Sequence, residues 1–494
     1  MAINIGNKMA TGAVWMVLVR LIDRSVGVVS TIILARILVP ADFGLVAMAT
    51  AIGAILDILG AFSFDLALIQ NPDAKRHHYD TVWTFNVLFG ILCTVVYIVI
   101  ASPAAGFYGD PRLRNVIYVL SLGNLINGFS NIGTVNFRKE MQFKDEFIMQ
   151  FSRRIIMFIV TVVGAYKFRS YWGLVLGILA GRITGVIISY IMHTYRPKFS
   201  TTGWGDLINF SKWLFINNLS YFFNQRAADF IIGKMLGSHG LGVYSLSYEI
   251  SNMPTSEIAA PINRAVFPGY AKMAHDIKEL RKGYLNVLSV LALIAMPVGV
   301  GIALTSKYIV PVLLGNNWNE SIPVIQILAI FGALNVIQNN CGTVYLALGD
   351  SRLATIFSVS FSVLLILFII LLIPGKGVMG VAWAYLITSG ITVPVNFFIV
   401  AKVLGLNLKD YWIVMNRPII ASSGMAMIFT IWADAFIKNC NFASKVIPMV
   451  VSMLLGVVIY TTIIVCLWYI EGKPDGFETI FFRKFILKQV PQIA

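Results

Sequence analysis

The feature that most constrains this chain is a series of apolar runs, each about 20 residues or longer, with breakers and charges confined to the short connections between them. About fourteen such runs are read, roughly at 11–38, 43–69, 82–101, 113–135, 147–167, 173–194, 207–233, 241–267, 284–305, 322–346, 353–373, 378–401, 417–437 and 446–470. The connections hold strings such as Asn71-Pro72-Asp73-Ala74-Lys75-Arg76, Gly109-Asp110-Pro111 and Pro374-Gly375-Lys376-Gly377. None is long enough for an extramembrane domain. The first run is too long for a signal-peptide core and is read as a retained span. The composition agrees: 58% of the residues are hydrophobic and 12% charged, against about 45–50% and about 25% in soluble domains. That leaves too little polar surface for a large water-soluble enzyme. The chain is expected to be an all-α, multi-pass membrane protein.

The net charge of +15 would suggest nucleic acid in a soluble protein. Here most basic residues sit in short loops, where they encode orientation, so no nucleic-acid partner is expected. Assigning loops alternately to two sides, with the N-terminus inside, gives an inner excess of roughly two to one. Both termini are therefore expected in the cytoplasm. The four cysteines form no CxxC pair, so neither a zinc site nor a disulfide framework is supported. No cofactor and no metal are expected.

The chain also repeats itself. Arg36-Ile37-Leu38 followed by Gly44-Leu45-Val46 aligns with Lys234-Met235-Leu236 followed by Gly242-Val243-Tyr244. Asn131-Ile132-Gly133-Thr134-Val135 recurs as Asn340-Cys341-Gly342-Thr343-Val344, and Tyr171-Trp172-Gly173 as Val378-Met379-Gly380. Three matches in the same order suggest a six-span unit used twice, both copies entering the membrane the same way. The expected organisation is one six-helix lobe over 1–200, a second over 201–405, two additional helices over 406–470 and a cytoplasmic amphipathic tail over 471–494. Such a plan belongs to transporters.

Leu34-Ala35-Arg36-Ile37-Leu38-Val39-Pro40-Ala41-Asp42-Phe43-Gly44 resembles the signature that ends the first span of Wzx-type polysaccharide-unit flippases. These belong to the multidrug/oligosaccharidyl-lipid/polysaccharide exporter superfamily, whose span count and two lobes this chain also resembles. The resemblance implies a transporter, not an enzyme. It would move a polyprenyl-diphosphate-linked oligosaccharide from the inner to the outer leaflet of a bacterial inner membrane for surface polysaccharide assembly. Partners implied are that lipid-linked substrate, membrane lipids, and the polymerase and chain-length machinery.

Within the spans, charge is costly and marks candidate sites. In the first span Arg20, Asp23, Arg24, Gly27 and Thr31 fall within an arc of about 100°, opposite Leu18, Ile22, Val26, Val29 and Ile33. Asp23 is expected to pair locally with Arg20 or Arg24, leaving a cation for an anionic group; an interlobe salt bridge that only fastens helices is the alternative. The seventh span carries Asn217, Asn218, Tyr221, Asn224, Gln225 and Asp229, with Arg226 at the edge. A lipid-facing helix does not tolerate that stripe. Arg20, Arg24 and Arg226 are the expected diphosphate contacts. Asn217, Asn218, Tyr221, Asn224 and Gln225 are the expected sugar contacts. Asp23, Asp57, Asp65 and Asp229 are candidates for ion coupling or internal pairing. Arg153 and Arg154 are expected to snorkel to headgroups near the inner end of span five. Arg182 lies within the ladder Gly173, Gly177, Gly181, Gly185, which reads as close helix packing.

Two other readings stay open. A cation-coupled drug exporter should have an acidic, aromatic site. An integral-membrane glycan polymerase or ligase generally has a large outer loop. No metal-dependent sugar-transfer, phosphate-loop or nucleophile-elbow motif is found.

Overall fold

The computed structural model describes the backbone of residues 2–59, 68–69, 74–202, 204–436 and 446–472. Side chains are described within these ranges outside 2–14, 16–17, 56–59, 204–227, 256, 258–261, 263–264, 432–436 and 446–449. Among the described residues there is no strand, and nine helices are long and apolar enough to cross a membrane. The helices group into two compact units, Met1–Gly242 and Val243–Ala494.

The first unit contains α1 (Ala2–Ile37), α2 (Pro40–Leu59), α3 (Arg76–Tyr108), α4 (Arg112–Gly128), the short α5 (Val135–Lys139), α6 (Phe143–Phe168) and α7 (Trp172–Met192). α8 (Trp204–Met273) begins in it and continues into the second unit. At Gly237, φ is 67° and ψ is −170°. Side-chain-bearing residues rarely adopt that conformation, so the break divides α8 where the sequence expects a turn between two spans. The second unit continues with α9 (Ile277–Ile309), α10 (Ser321–Ala347), α11 (Ser351–Lys376), α12 (Val378–Leu404), α13 (Leu408–Phe436) and α14 (Val446–Ile470).

Both units pair their helices alike. In the first, α3 packs on α4, α6 on α7, and α4 on α7; in the second, α9 packs on α10, α11 on α12, and α10 on α12. Residues matched by the sequence repeat take matching local parts. A Cβ on Gly173 would overlap the backbone of Ala165 in the preceding helix, and one on Gly380 would overlap the Leu372 carbonyl. Asn131 and Asn340 are both buried and both hydrogen-bonded across a helix junction. The two final helices α13 and α14 pack on α9, where the Tyr460 hydroxyl donates to the Leu293 carbonyl at 2.9 Å.

Several boundaries differ from expectation. α1 starts at Ala2 rather than near residue 11, and α3 and α9 overrun their apolar cores by a turn or more at each end. Hydrophobicity locates the membrane-crossing part of a helix, and a helix continues past it while its backbone bonds are satisfied. The fourth span ends at Gly128, not near 135. There Asn131 accepts from the Gly133 N–H at 2.9 Å and turns the chain through a 3-10 segment.

The stretch after α7 is tied down. The Asn131 side chain donates to the carbonyls of His193 (3.3 Å) and Tyr195 (2.8 Å). The Asp80 carboxylate accepts from the Tyr195 hydroxyl (2.6 Å) and the Lys198 N–H (2.8 Å), and the Ser200 N–H donates to Thr84 Oγ1 at 2.9 Å.

Candidate functional site

The glycine ladder of α7 brings the charged interior together. A Cβ on Gly177 would overlap the Thr161 hydroxyl, one on Gly181 would sit 3.2 Å from Met157 Cβ, and one on Gly185 3.4 Å from Arg153 Cδ. Four-residue spacing on both helices thus seats α7 along α6, backbone close to backbone. α6 packs in turn on α1. Gly27 leaves room on α1 for a guanidinium, since a Cβ there would lie 3.0 Å from Arg154 Nη2.

Asp23 pairs across this junction. Its Oδ1 is 3.0 Å from Arg154 Nε, and Arg154 Nη2 also donates to the Asp23 carbonyl at 3.4 Å. The carboxylate thus has an ion-pair partner on α6, and Arg154, expected to snorkel to headgroups, turns to Asp23 instead. Arg154 lies about 17 Å along α6 from its start at Phe143, and a carboxylate 3.0 Å away outcompetes a distant headgroup. Arg182 reaches the other way and donates to the Asn124 side-chain oxygen on α4. Arg153, next to Arg154 on α6, packs its side chain against Gly185 of α7.

The remaining expected residues fall as follows. Arg20 is half-buried and Arg24 exposed on the polar face of α1, and neither is without partners. Asp229 is half-buried on the first arm of α8 and is also engaged. The side chains of Asp57, Asn217, Asn218, Tyr221, Asn224, Gln225 and Arg226, and all of Asp65, lie outside the described residues.

At one end of the first unit lies a second arrangement, built of backbone. A Cβ on Gly44 would overlap the Ser238 carbonyl oxygen and sit 2.8 Å from the Gly242 nitrogen. Reciprocally, a Cβ on Gly242 would overlap the Pro40 carbonyl and sit 3.0 Å from the Gly44 nitrogen. The two copies of the repeated motif are therefore in mutual contact. The buried Asp42 accepts from the Val39 N–H (3.3 Å) and the Tyr171 N–H (3.2 Å), fastening the α1–α2 turn to the start of α7. Nearby, Asp110 accepts from Arg112 Nη2 at 2.7 Å and from Ser238 Oγ at 3.3 Å. The Arg112 guanidinium holds the Asp110 carboxyl below the usual carboxylate range, although partial burial opposes it.

A family model described as polysaccharide biosynthesis protein matches residues 33–323. The chain belongs to that family. It is similar to the lipopolysaccharide biosynthesis protein WzxC of Escherichia coli (strain K12), 25% identical over 464 residues that cover 92% of this chain and 89% of that protein. It is also similar to the teichuronic acid biosynthesis protein TuaB of Bacillus subtilis (strain 168), 26% identical over 372 residues, 74% of this chain and 76% of that one. In fold it matches the lipid II flippase MurJ in an inward closed conformation, with a TM-score of 0.70 at 14% identity, covering 95% of this chain and 99% of that one. The family member described here is thus an all-α, multi-pass membrane protein of transporter fold. Its signature residues Pro40, Asp42 and Gly44 serve the closed turn rather than the charged interior. The grouping of Arg153, Arg154 and Arg182 with Asp23 was missed by sequence reasoning. The ladder's spacing, together with the adjacency of α6 and α7, was the signal that would have found it.

Proposed function

We propose that this protein is a flippase for surface polysaccharide biosynthesis. It carries a polyprenyl-diphosphate-linked oligosaccharide from the cytoplasmic to the outer leaflet of a bacterial inner membrane, both termini lying in the cytoplasm. The observation that carries this reading is the arginine-bearing polar face of α1 deep in a chain of the polysaccharide biosynthesis family. Arg24 lies 13 residues before Ile37, so about 20 Å from the end of α1. Sugars and a diphosphate cross some 30 Å of hydrocarbon only through a wet, cationic passage. A guanidinium offers two parallel donors to phosphate oxygens, which an ammonium does not.

In this reading Arg20 and Arg24 receive the diphosphate, with Arg226, and Asn217, Asn218, Tyr221, Asn224 and Gln225 meet sugar hydroxyls. Alternating access moves the head group while the lipid tail stays in the bilayer. The delivered unit passes to polymerisation and chain-length machinery.

Arg24→Ala tests it. At matched protein levels the variant should lose transport, and the lipid-linked unit should accumulate in the inner leaflet, read by lipid extraction and mass spectrometry. Arg24→Lys should keep part of the activity, because charge survives while the fork is lost. Normal transport by Arg24→Ala would overturn the assignment.

A further inference from the structure

A proline inside a helix removes one donor, and its ring pushes against the carbonyl four residues earlier. Pro297 does this to α9, where that carbonyl belongs to Leu293. Leu293 lies about 24 Å along a helix about 50 Å long, far from either end. At that depth in a membrane no water replaces the lost bond, so another part of the protein must.

α14 supplies the donor. The Tyr460 hydroxyl, buried and about 21 Å along α14, donates to the Leu293 carbonyl at 2.9 Å. Its neighbours in sequence do otherwise: Thr461 and Thr462 donate within α14, to the carbonyls of Val457 (2.8 Å) and Val458 (2.8 Å). The apolar contacts agree with the hydrogen bond. Leu293 and Val300 lie on one face of α9, on either side of the break. Both pack on the cluster of Ala421, Met425, Tyr460 and Ile464 that α13 and α14 contribute.

On another face the same stretch of α9 is packed tightly against α10. A Cβ on Gly299 would lie 2.7 Å from the Ala329 carbonyl oxygen and 2.8 Å from Ala333 Cβ. Gly299 is two residues beyond the break, so a change in the direction of α9 after Pro297 opens or closes that seam. Before the break, Leu291 and Ala295 pack with Ala333 and Val336 and hold the first half of α9 in place. The two halves are joined by a backbone short of one hydrogen bond, and Tyr460 provides the substitute.

We propose that Tyr460 is a positioning residue for α9. By holding the Leu293 carbonyl it sets the direction of α9 beyond Pro297, and with it the α9–α10 seam at Gly299. The two helices outside the sequence repeat, α13 and α14, thereby brace a core helix that cannot complete its own hydrogen-bond ladder.

The test is a mutant cycle on the purified full chain in lipid nanodiscs, read by amide hydrogen exchange in α9. Tyr460→Phe removes the hydroxyl and keeps the ring. It should speed exchange over residues 294–301 about 5- to 30-fold, the effect of losing the donor to a carbonyl that has no other. Pro297→Ala returns an N–H to the Leu293 carbonyl, and Tyr460→Phe added to it should change exchange by less than about twofold. Pro297→Leu provides the same background if the alanine variant does not fold. Thr461→Val, which removes a hydroxyl bonded within α14, should leave exchange in α9 as in the wild type. Unchanged exchange in Tyr460→Phe overturns the proposal, and so does equal acceleration with and without Pro297. Equal acceleration by Thr461→Val would mean general loosening of α14 and overturns it too. Polysaccharide export at matched protein levels, in a host lacking its own copy, reads the positioning role; this arm alone rests on the flippase reading. Tyr460→Phe should lower export several-fold, and faster exchange with normal export overturns the positioning role. Failure of the wild-type chain to restore export counts against the flippase reading, and the exchange cycle still decides the bracing of α9.

Discussion

The closed turn around Gly44 and the charged interior around Arg154 occupy the same unit and are built on opposite principles. The turn contains the signature of the family, yet its contacts are glycine against backbone, with Asp42 binding two N–H groups. The interior contains no long motif, only guanidiniums and a carboxylate spread over α1, α6 and α7. A motif is readable when its residues are neighbours in sequence, and close backbone approach demands just such a local pattern. A charge constellation needs only proximity in space. The recognisable part of the chain is therefore its fastening, and the part suited to chemistry is dispersed.

If that contrast holds, the largest effect should come from filling the turn. Gly44→Val places branched carbon where the Ser238 carbonyl lies, and backbone has no rotamer with which to retreat. Overpacking of this kind costs about 1–3 kcal/mol, which lowers the population of the closed turn by roughly 5- to 160-fold. Polysaccharide export at matched protein levels should fall accordingly, and Gly242→Val should behave alike. Tolerance of both would show that the turn is an ordinary loop.

Asp42 sharpens the comparison, because it is charged but works structurally. Asp42→Ala leaves two part-buried N–H groups without their acceptor, a loss of up to about 1–3 kcal/mol, and should lower the thermal stability of the purified protein. Asp42→Asn keeps one acceptor oxygen and should recover part of the loss. Asp42→Ala should not, however, reduce binding of farnesyl diphosphate in the folded protein. Loss of binding would place Asp42 with the interior instead.

The smallest effect belongs to Asp110. Its folded pKa lies below the unfolded value, so the pair's stabilisation is present above the usual carboxylate range and is lost only as pH falls through the lowered pKa. Because Arg112 is about half exposed, the contribution is under about 1 kcal/mol. Thermal stability of wild type and Asp110→Asn should differ by a constant small amount from pH 5 to 8 and converge below about pH 4. A difference that changes between pH 6 and 8 would mean another group governs the turn.

Much of the fold was legible because membrane spans declare themselves by length and apolarity, and the α6–α7 contact because Gly173, Gly177, Gly181 and Gly185 recur at one helix face. Helix ends were less so: the Asn131 turn depends on partners at His193 and Tyr195, more than 60 residues away. The polar face of α1 was readable from periodicity, but not the partner of Asp23. That partner lies 131 residues along the chain, and no pattern local to α1 points to it.

The tethering of residues 193–200 has a mechanical consequence. Through Asn131, Asp80 and Thr84 this stretch is splinted to the 3-10 turn and to the first turns of α3, so it does not act as a slack cord. A pull or twist arriving from the chain beyond Ser200 is delivered to those two places, at the end of the first unit away from the Gly44 turn.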